Sequence, residues 1–429
     1  MQTSAVQREE DGIGSASSFY AWAVFVLTFM LMMSDFISRQ VIVGIFPFLK
    51  AQWTLTDAQL GSLVSVVALT VGLTTFPISL LADRWSRVKS IATMAVVWSL
   101  ATVACGFAGN YSQLLILRGV VGIGEAGYGS AGSAILSHVF PESRRSSVIG
   151  AFLSAALFGS VLGVMLGGVL ATHLSWQTAL IVVGIPGLVL AVLYPLVVRD
   201  YATVALVKRP GPADLANHTV RNMRVADGIK ELFGSAAVCF TYVGSGLQFL
   251  VQSTLIAWLP SYLNRYYGFT PEQSAIRAAI VVLLGGVGMV CGGYFADYSS
   301  GRNYRRRLQL PAVYALGSFM VLTTAFSLPP GSMQFFLIAL GGFAVSAHAG
   351  AAVAVIADVT HPGLRTTALA TQTLASNLIG LAPGPFIVGT LSDAFGLASA
   401  MAIIPVVSVG AAIFFQLGSR HLAKDGRAD

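Results

Sequence analysis

The chain has 429 residues, 55% of them hydrophobic and only 10% charged, with 45 glycines and a mean hydropathy of +0.76. Soluble domains carry about 25% charged residues, so a soluble fold is excluded and an all-α polytopic membrane protein is expected. The formal charge of +7 does not call for nucleic acid, because the basic residues fall where membrane topology would put them.

A helix needs about 20 apolar residues to cross a bilayer. Such stretches recur from the N-terminus onward: Phe19 to Phe48, Leu60 to Ala82, Ser90 to Ala108 and Gln113 to His138, then Ser146 to Val198, which is long enough for two spans and is broken at "HLSW". After a polar interval come Leu232 to Asn264, Ala278 to Ala296, Leu308 to Ala357 (two spans, broken at "LPPGS"), Thr366 to Ser392 and Ala394 to Ser419. The total is twelve predicted helices. The first is expected to double as an uncleaved signal.

Lys and Arg in short loops stay cytoplasmic. Of the 25 Lys and Arg, all but five lie in the termini or in the even-to-odd loops. Lys50, Arg265 and Arg277 lie in the opposite loops, and Arg39 and Arg118 lie at membrane depth. Both termini are therefore expected in the cytoplasm. The implied organisation is a tail at 1–18, a six-helix bundle at 19–199, a cytoplasmic linker at 200–230, a second six-helix bundle at 231–419 and a tail at 420–429.

Two loops repeat a signature. "SLLADRWSRVK" (Ser79 to Lys89) follows the second span and "GGYFADYSSGR" (Gly292 to Arg302) follows the eighth. Recurrence at the same place in each half implies two related bundles with a solute route between them. A carboxylate at such a junction can pair with helix-end amides and arginines, so Asp83, Arg84, Arg87, Asp297 and Arg302 are the expected cytoplasmic gate.

Cys105, Cys239 and Cys291 are scattered among predicted helices without metal-ligand or disulfide spacing. No nucleophile is placed with a base, and no phosphate-binding loop is present. An enzyme, a metal, a cofactor and ATP drive are accordingly not expected.

With these motifs the chain resembles the major facilitator superfamily over essentially its whole length. "ISRQVIVGIFPFLKAQWTLTDAQLGSL", "LRGVVGIGEAGYG", "AWLPSYLNRYYGFTPEQSA" and "NLIGLAPGPFIVGTLSDAFG" together resemble its Spinster-like branch, which includes lysolipid and sphingolipid transporters. The chain departs from the superfamily pattern at Ser79 and Ser86, which stand at glycine positions. It departs from the branch pattern at Ser38, where an Asp is common, and at Gln177, where an Arg is common.

Asp35 and Arg39, spaced i, i+4, share a face of the first span, and Arg118 and Glu125, seven apart, share a face of the fourth. The resemblance implies that these spans are adjacent and line a central cavity, so the four residues would form one compensated cluster. A charge in hydrocarbon persists only with a partner or water, and a carboxyl group moved out of water binds a proton more readily. Glu125 and Asp35 are thus the expected proton-coupling residues and Arg39 and Arg118 their charge partners. Glu125 is favoured as the carrier, since Asp35 has Arg39 one turn away.

The second half has no deep charge. Its seventh span carries Tyr242, Gln248, Phe249, Gln252 and Trp258, and its tenth carries His348. These residues, with Tyr128 of the fourth span, are the expected substrate contacts, although each also suits helix packing.

The reading is a monomeric, multi-pass transporter of the bacterial inner membrane. It would move a small amphipathic or anionic solute, lysolipid- or sphingolipid-like by the resemblance, by proton-driven alternating access. Organic acid or sugar symport and multidrug efflux are the alternatives.

Overall fold

The computed structural model describes residues 18–199, 235–300, 304–360 and 365–422. The N-terminal tail, the linker expected at 200–230 and Arg302 lie outside the described residues.

All described elements are helices. α1 (Ser18–Gly44) fills the first expected span and is followed by the short α2 (Phe46–Trp53), started by Pro47 and stopped by Thr54 in the left-handed region at φ 50°. A capping box then launches α3 (Asp57–Arg84): Thr56 accepts from the Gln59 amide at 3.2 Å, and Gln59 accepts from the Thr56 amide at 3.0 Å. α4 (Arg87–Cys105) begins at the Ser86 cap. The fourth span is two helices, α5 (Tyr111–Glu125) and α6 (Tyr128–Val139), and α7 (Glu142–His173) and α8 (Trp176–Val197) complete the first half.

The second half repeats the plan. It consists of α9 (Ala236–Tyr267), α10 (Pro271–Ser300), α11 (Tyr304–Ser327), α12 (Ser332–Ser346), α13 (His348–Val359), α14 (Arg365–Ala375), α15 (Pro383–Phe395), α16 (Leu397–Ile403) and α17 (Val406–Leu422). The repeat reaches detail: α5 and α6 have 15 and 12 residues, and so do α12 and α13. Both pairs break at mid-span, at Ala126–Gly127 and at Ala347. Gly127 sits at φ 84°, a conformation glycine adopts without a Cβ penalty.

Between α14 and α15 the chain makes a π-helical turn, Ser376–Leu381. Pro383 cannot donate to a preceding carbonyl; just before it the ladder widens, with the Ala382 amide reaching Asn377 O at 2.9 Å and Asn377 Nδ2 reaching Thr373 O at 2.9 Å.

Ten described segments are long and apolar enough to cross a membrane. The other two expected spans are the broken α5–α6 pair and α9, whose 32 residues carry more polar side chains. Large apolar side chains face outward, for example Ile116 and Val290, each 68% exposed, as lipid rather than water requires.

The halves pack α3 on α15 and α7 on α10, the second span on the eleventh and the fifth on the eighth, so the contact itself follows the repeat. At the α3–α15 crossing a Cβ on Gly61 would lie 2.2 Å from Pro385 O, and one on Gly389 would lie 2.4 Å from Asp57 O. These glycines set how closely the two backbones approach. Within the first half, Gly159, Gly163 and Gly167 of α7 lie against the α1 backbone in the same way.

Candidate functional site

The deep charged cluster is built where α1, α3 and α5 meet. Gly122 and Gly124 let α5 press onto α3 and α4, and the break at Ala126–Gly127 ends α5 at Glu125. A carboxylate at a helix C-terminus sits at the unfavourable end of the dipole. Arg39 stabilises it: Nη2 lies 2.8 Å from Glu125 Oε2, and Nε donates to the same oxygen at 3.0 Å. The Glu125 side chain is fully buried, whereas that of Arg39 is 17% exposed and lies over the Phe36 ring at 4.9 Å.

Asp35 is buried close to this pair and to the Glu125 carboxyl group. Asp35 Oδ1 and Glu125 Oε1 are both buried and make no hydrogen bond with the described residues. Sequence spacing pairs Asp35 with Arg39 along one helix. In the structure the guanidinium is bonded across to Glu125 instead.

Arg118, fully buried, is occupied with backbone. Its Nε donates to Leu63 O at 3.2 Å, Nη1 to Ser38 O at 3.0 Å and Nη2 to Arg39 O at 2.9 Å. It stitches α5 to α1 and α3 and holds the backbone of Arg39 itself, so it acts on the pair by positioning.

The expected substrate contacts divide. Tyr128 is buried and donates to Thr28 O at 2.7 Å, Tyr242 donates to Ala368 O at 3.2 Å, and Trp258 donates to Pro385 O at 3.0 Å. Gln248 is enclosed with Ser318 and Ser408, at 3.4 and 3.2 Å. Gln252 and Phe249 are partly exposed, and Gln252 Oε1 has no partner among the described residues. His348 is buried between Phe249 and Phe415, with ring centroids at 5.1 and 6.0 Å. Its Nδ1 lies 2.8 Å from Val345 O; a carbonyl only accepts, so the Nδ1 proton points there. Of the expected gate residues, Arg87 is half-buried and engaged. Asp83 and Arg84 in α3 and Asp297 in α10 are placed by backbone alone, and Arg302 is beyond the described residues.

A second cluster ties the halves together at the face carrying Lys50. Asp57 is buried there. Arg265 of α9 donates to it through Nη1 at 2.6 Å and Nη2 at 2.7 Å, Ser392 of α15 donates at 2.5 Å, and Lys50 of α2 pairs with it as well. Asp393 accepts from the Asp57 and Ala58 amides at 2.8 and 2.9 Å, capping α3 from the other half. Sequence reasoning missed this cluster. The available signal was that Lys50 and Arg265 are two of only three cations in loops of their side.

These comparisons bear on the chain as a whole. The Major Facilitator Superfamily model matches residues 24–338. The chain belongs to the Major Facilitator Superfamily. It is 24% identical to the hexuronate transporter of Bacillus subtilis (strain 168), over 90% of this chain and 93% of the relative. It is 25% identical to protein spinster homolog 1 of Xenopus laevis, over 86% of this chain and 72% of the relative. A crystal structure of a bacterial homolog to the human lysosomal transporter Spinster, inward-facing and unoccupied, superposes with a TM-score of 0.85 at 24% identity, covering 96% of this chain and 99% of that one. This superfamily member is a multi-pass membrane transporter.

Proposed function

We propose that the protein is a proton-coupled transporter of an organic anion working by alternating access. The observation that carries this reading is the Asp35–Glu125–Arg39 cluster. Two buried carboxyl oxygens lack donors among the described residues, and a single proton shared between them would satisfy both, which matters because an unsatisfied buried polar atom costs about 1–3 kcal/mol. With that proton in place the cluster no longer needs both bonds from Arg39. The exposed part of the guanidinium is then free for a solute carboxylate, which it can meet bidentately. Proton and anion would thus bind together and leave together. The similarity to a hexuronate transporter over most of both chains supports an anionic solute.

Gln252 and Phe249, partly exposed on α9, are the residues we assign to the uncharged part of the solute. Tyr242, Gln248, Trp258 and Tyr128 are assigned to packing, because their polar atoms are already engaged. With the Lys50 face placed outside the cell by the basic-residue pattern, the Asp57 cluster closes the outer side. Asp83, Arg84, Arg87, Asp297 and Arg302 are proposed to close the inner side in the opposite state.

A lysolipid-like solute is the second reading, favoured by the similarity to Spinster homologues. Uptake into proteoliposomes of D-glucuronate, cis,cis-muconate, D-glucose and a lysophospholipid, with and without an imposed pH gradient, separates the readings. Gradient-stimulated uptake of the two acids alone is expected; uptake of the lysophospholipid alone would select the second.

A further inference from the structure

A small pocket of about 220 Å³ opens at the closed face between α2 and α9, lined by Pro47, Lys50 and Ala51 from one half and by Ser261, Asn264 and Arg265 from the other. Its chemistry is that of an anion site. Two cations border it. They share one buried carboxylate, Asp57, while Asp393 accepts from two α3 amides. Ser261, 2% exposed, is among the lining residues, and its buried Oγ makes no hydrogen bond with the described residues. An aliphatic wall at Pro47 and Ala51 leaves room for a carboxylate carried on a small carbon skeleton rather than for a bulky headgroup.

One of these cations holds the halves together, since Lys50 and Asp57 belong to the same half. Arg265 reaches Asp57 from the opposite half, and both of its terminal nitrogens are committed to that carboxylate. A second carboxylate entering the pocket would face Lys50 and Arg265 from the side away from Asp57 and compete for their hydrogen bonds. Its charge would compete with that of Asp57 for Arg265 and so weaken the tie between the halves.

We infer that this pocket is a reception site for the carboxylate of an incoming or departing solute, and that its occupation loosens the Asp57–Arg265 tie and favours opening of the Lys50 face. The inference rests on the organic-anion reading above but concerns a different site, on the membrane surface rather than at Arg39. A ligand shifts a conformational equilibrium only by its differential affinity for the two states, and competition for a shared pair of cations supplies such a difference.

The test is the distance between spin labels at Ser112→Cys and Ala394→Cys, exposed positions on opposite halves at this face, in the full chain in nanodiscs with the native cysteines replaced by alanine. Asp57→Asn should populate the long distance without solute. In the chain with Asp57 intact, D-glucuronate should populate it in a saturable way and D-glucose should not. Lys50→Gln and Ser261→Ala should each require at least tenfold more glucuronate for the same shift. A glucuronate response unchanged by both substitutions, or no response at all, overturns the inference. Uptake of glucuronate measured in parallel keeps the two claims apart: uptake without a distance response sinks the reception site alone, and a distance response without uptake sinks the transport reading alone.

Discussion

At the residue scale, the two deep arginines have different tasks although they look alike in sequence. Arg118 satisfies three backbone carbonyls, so Arg118→Met should leave them buried without donors, at about 1–3 kcal/mol each. Its thermal midpoint in detergent should fall well below those of Arg39→Gln and Glu125→Gln, and an unchanged midpoint would mean that the carbonyl contacts contribute nothing. Arg39 carries the reversible bond, and Arg39→Gln should fold yet lose anion affinity. On α9, Gln252→Ala and Phe249→Ala should raise the KM for solute severalfold, while Tyr242→Phe and Trp258→Phe should alter stability more than KM. The positions of Asp35, Arg39, Arg118 and Glu125 were legible in the sequence because charges in apolar runs are conspicuous. Their pairing was not. Spacing along one helix puts Asp35 next to Arg39, but it cannot show that the α5 break delivers Glu125 to the same guanidinium.

At the element scale, the glycines at the α3–α15 crossing fix how far the Lys50 face can close. A methyl group at residue 389 would meet the Asp57 carbonyl, where backbone must move because no flexible side chain can yield. Gly389→Ala should therefore lengthen the Ser112–Ala394 distance and shift the population away from the closed face. A closed population equal to wild type would show that the crossing is not what limits approach. The glycine run of α7 packs on α1. The mid-span breaks were less readable: Gly127 gives a signal, whereas Ala347 in "SAHAG" gives none, and only the matched 15- and 12-residue lengths expose the correspondence. That correspondence places Ser346 where the first half has Glu125 and His348 where it has Tyr128, so the acidic chemistry belongs to one half only.

For the whole molecule, composition alone placed the chain in a membrane, and the repeated loop signature anticipated two related halves. What the sequence could not show was which face is closed, because the Asp57 cluster joins residues 336 and 208 positions apart. The proposed orientation rests on charge. A cysteine at Lys50 should react with an impermeant reagent from outside intact cells and one at Lys208 should not; the reverse pattern would invert the topology and with it the direction of the gate. The central claim is that protons drive solute through the Asp35–Glu125–Arg39 cluster. Its most direct test is accumulation of D-glucuronate in proteoliposomes under an acid-outside gradient, with internal pH recorded at the same time. Wild type should accumulate the solute and acidify the interior only when solute is present. Glu125→Gln should exchange labelled for unlabelled glucuronate but neither accumulate it nor admit protons. Gradient-driven accumulation by Glu125→Gln at the wild-type level, or wild-type uptake indifferent to the gradient, would contradict the account.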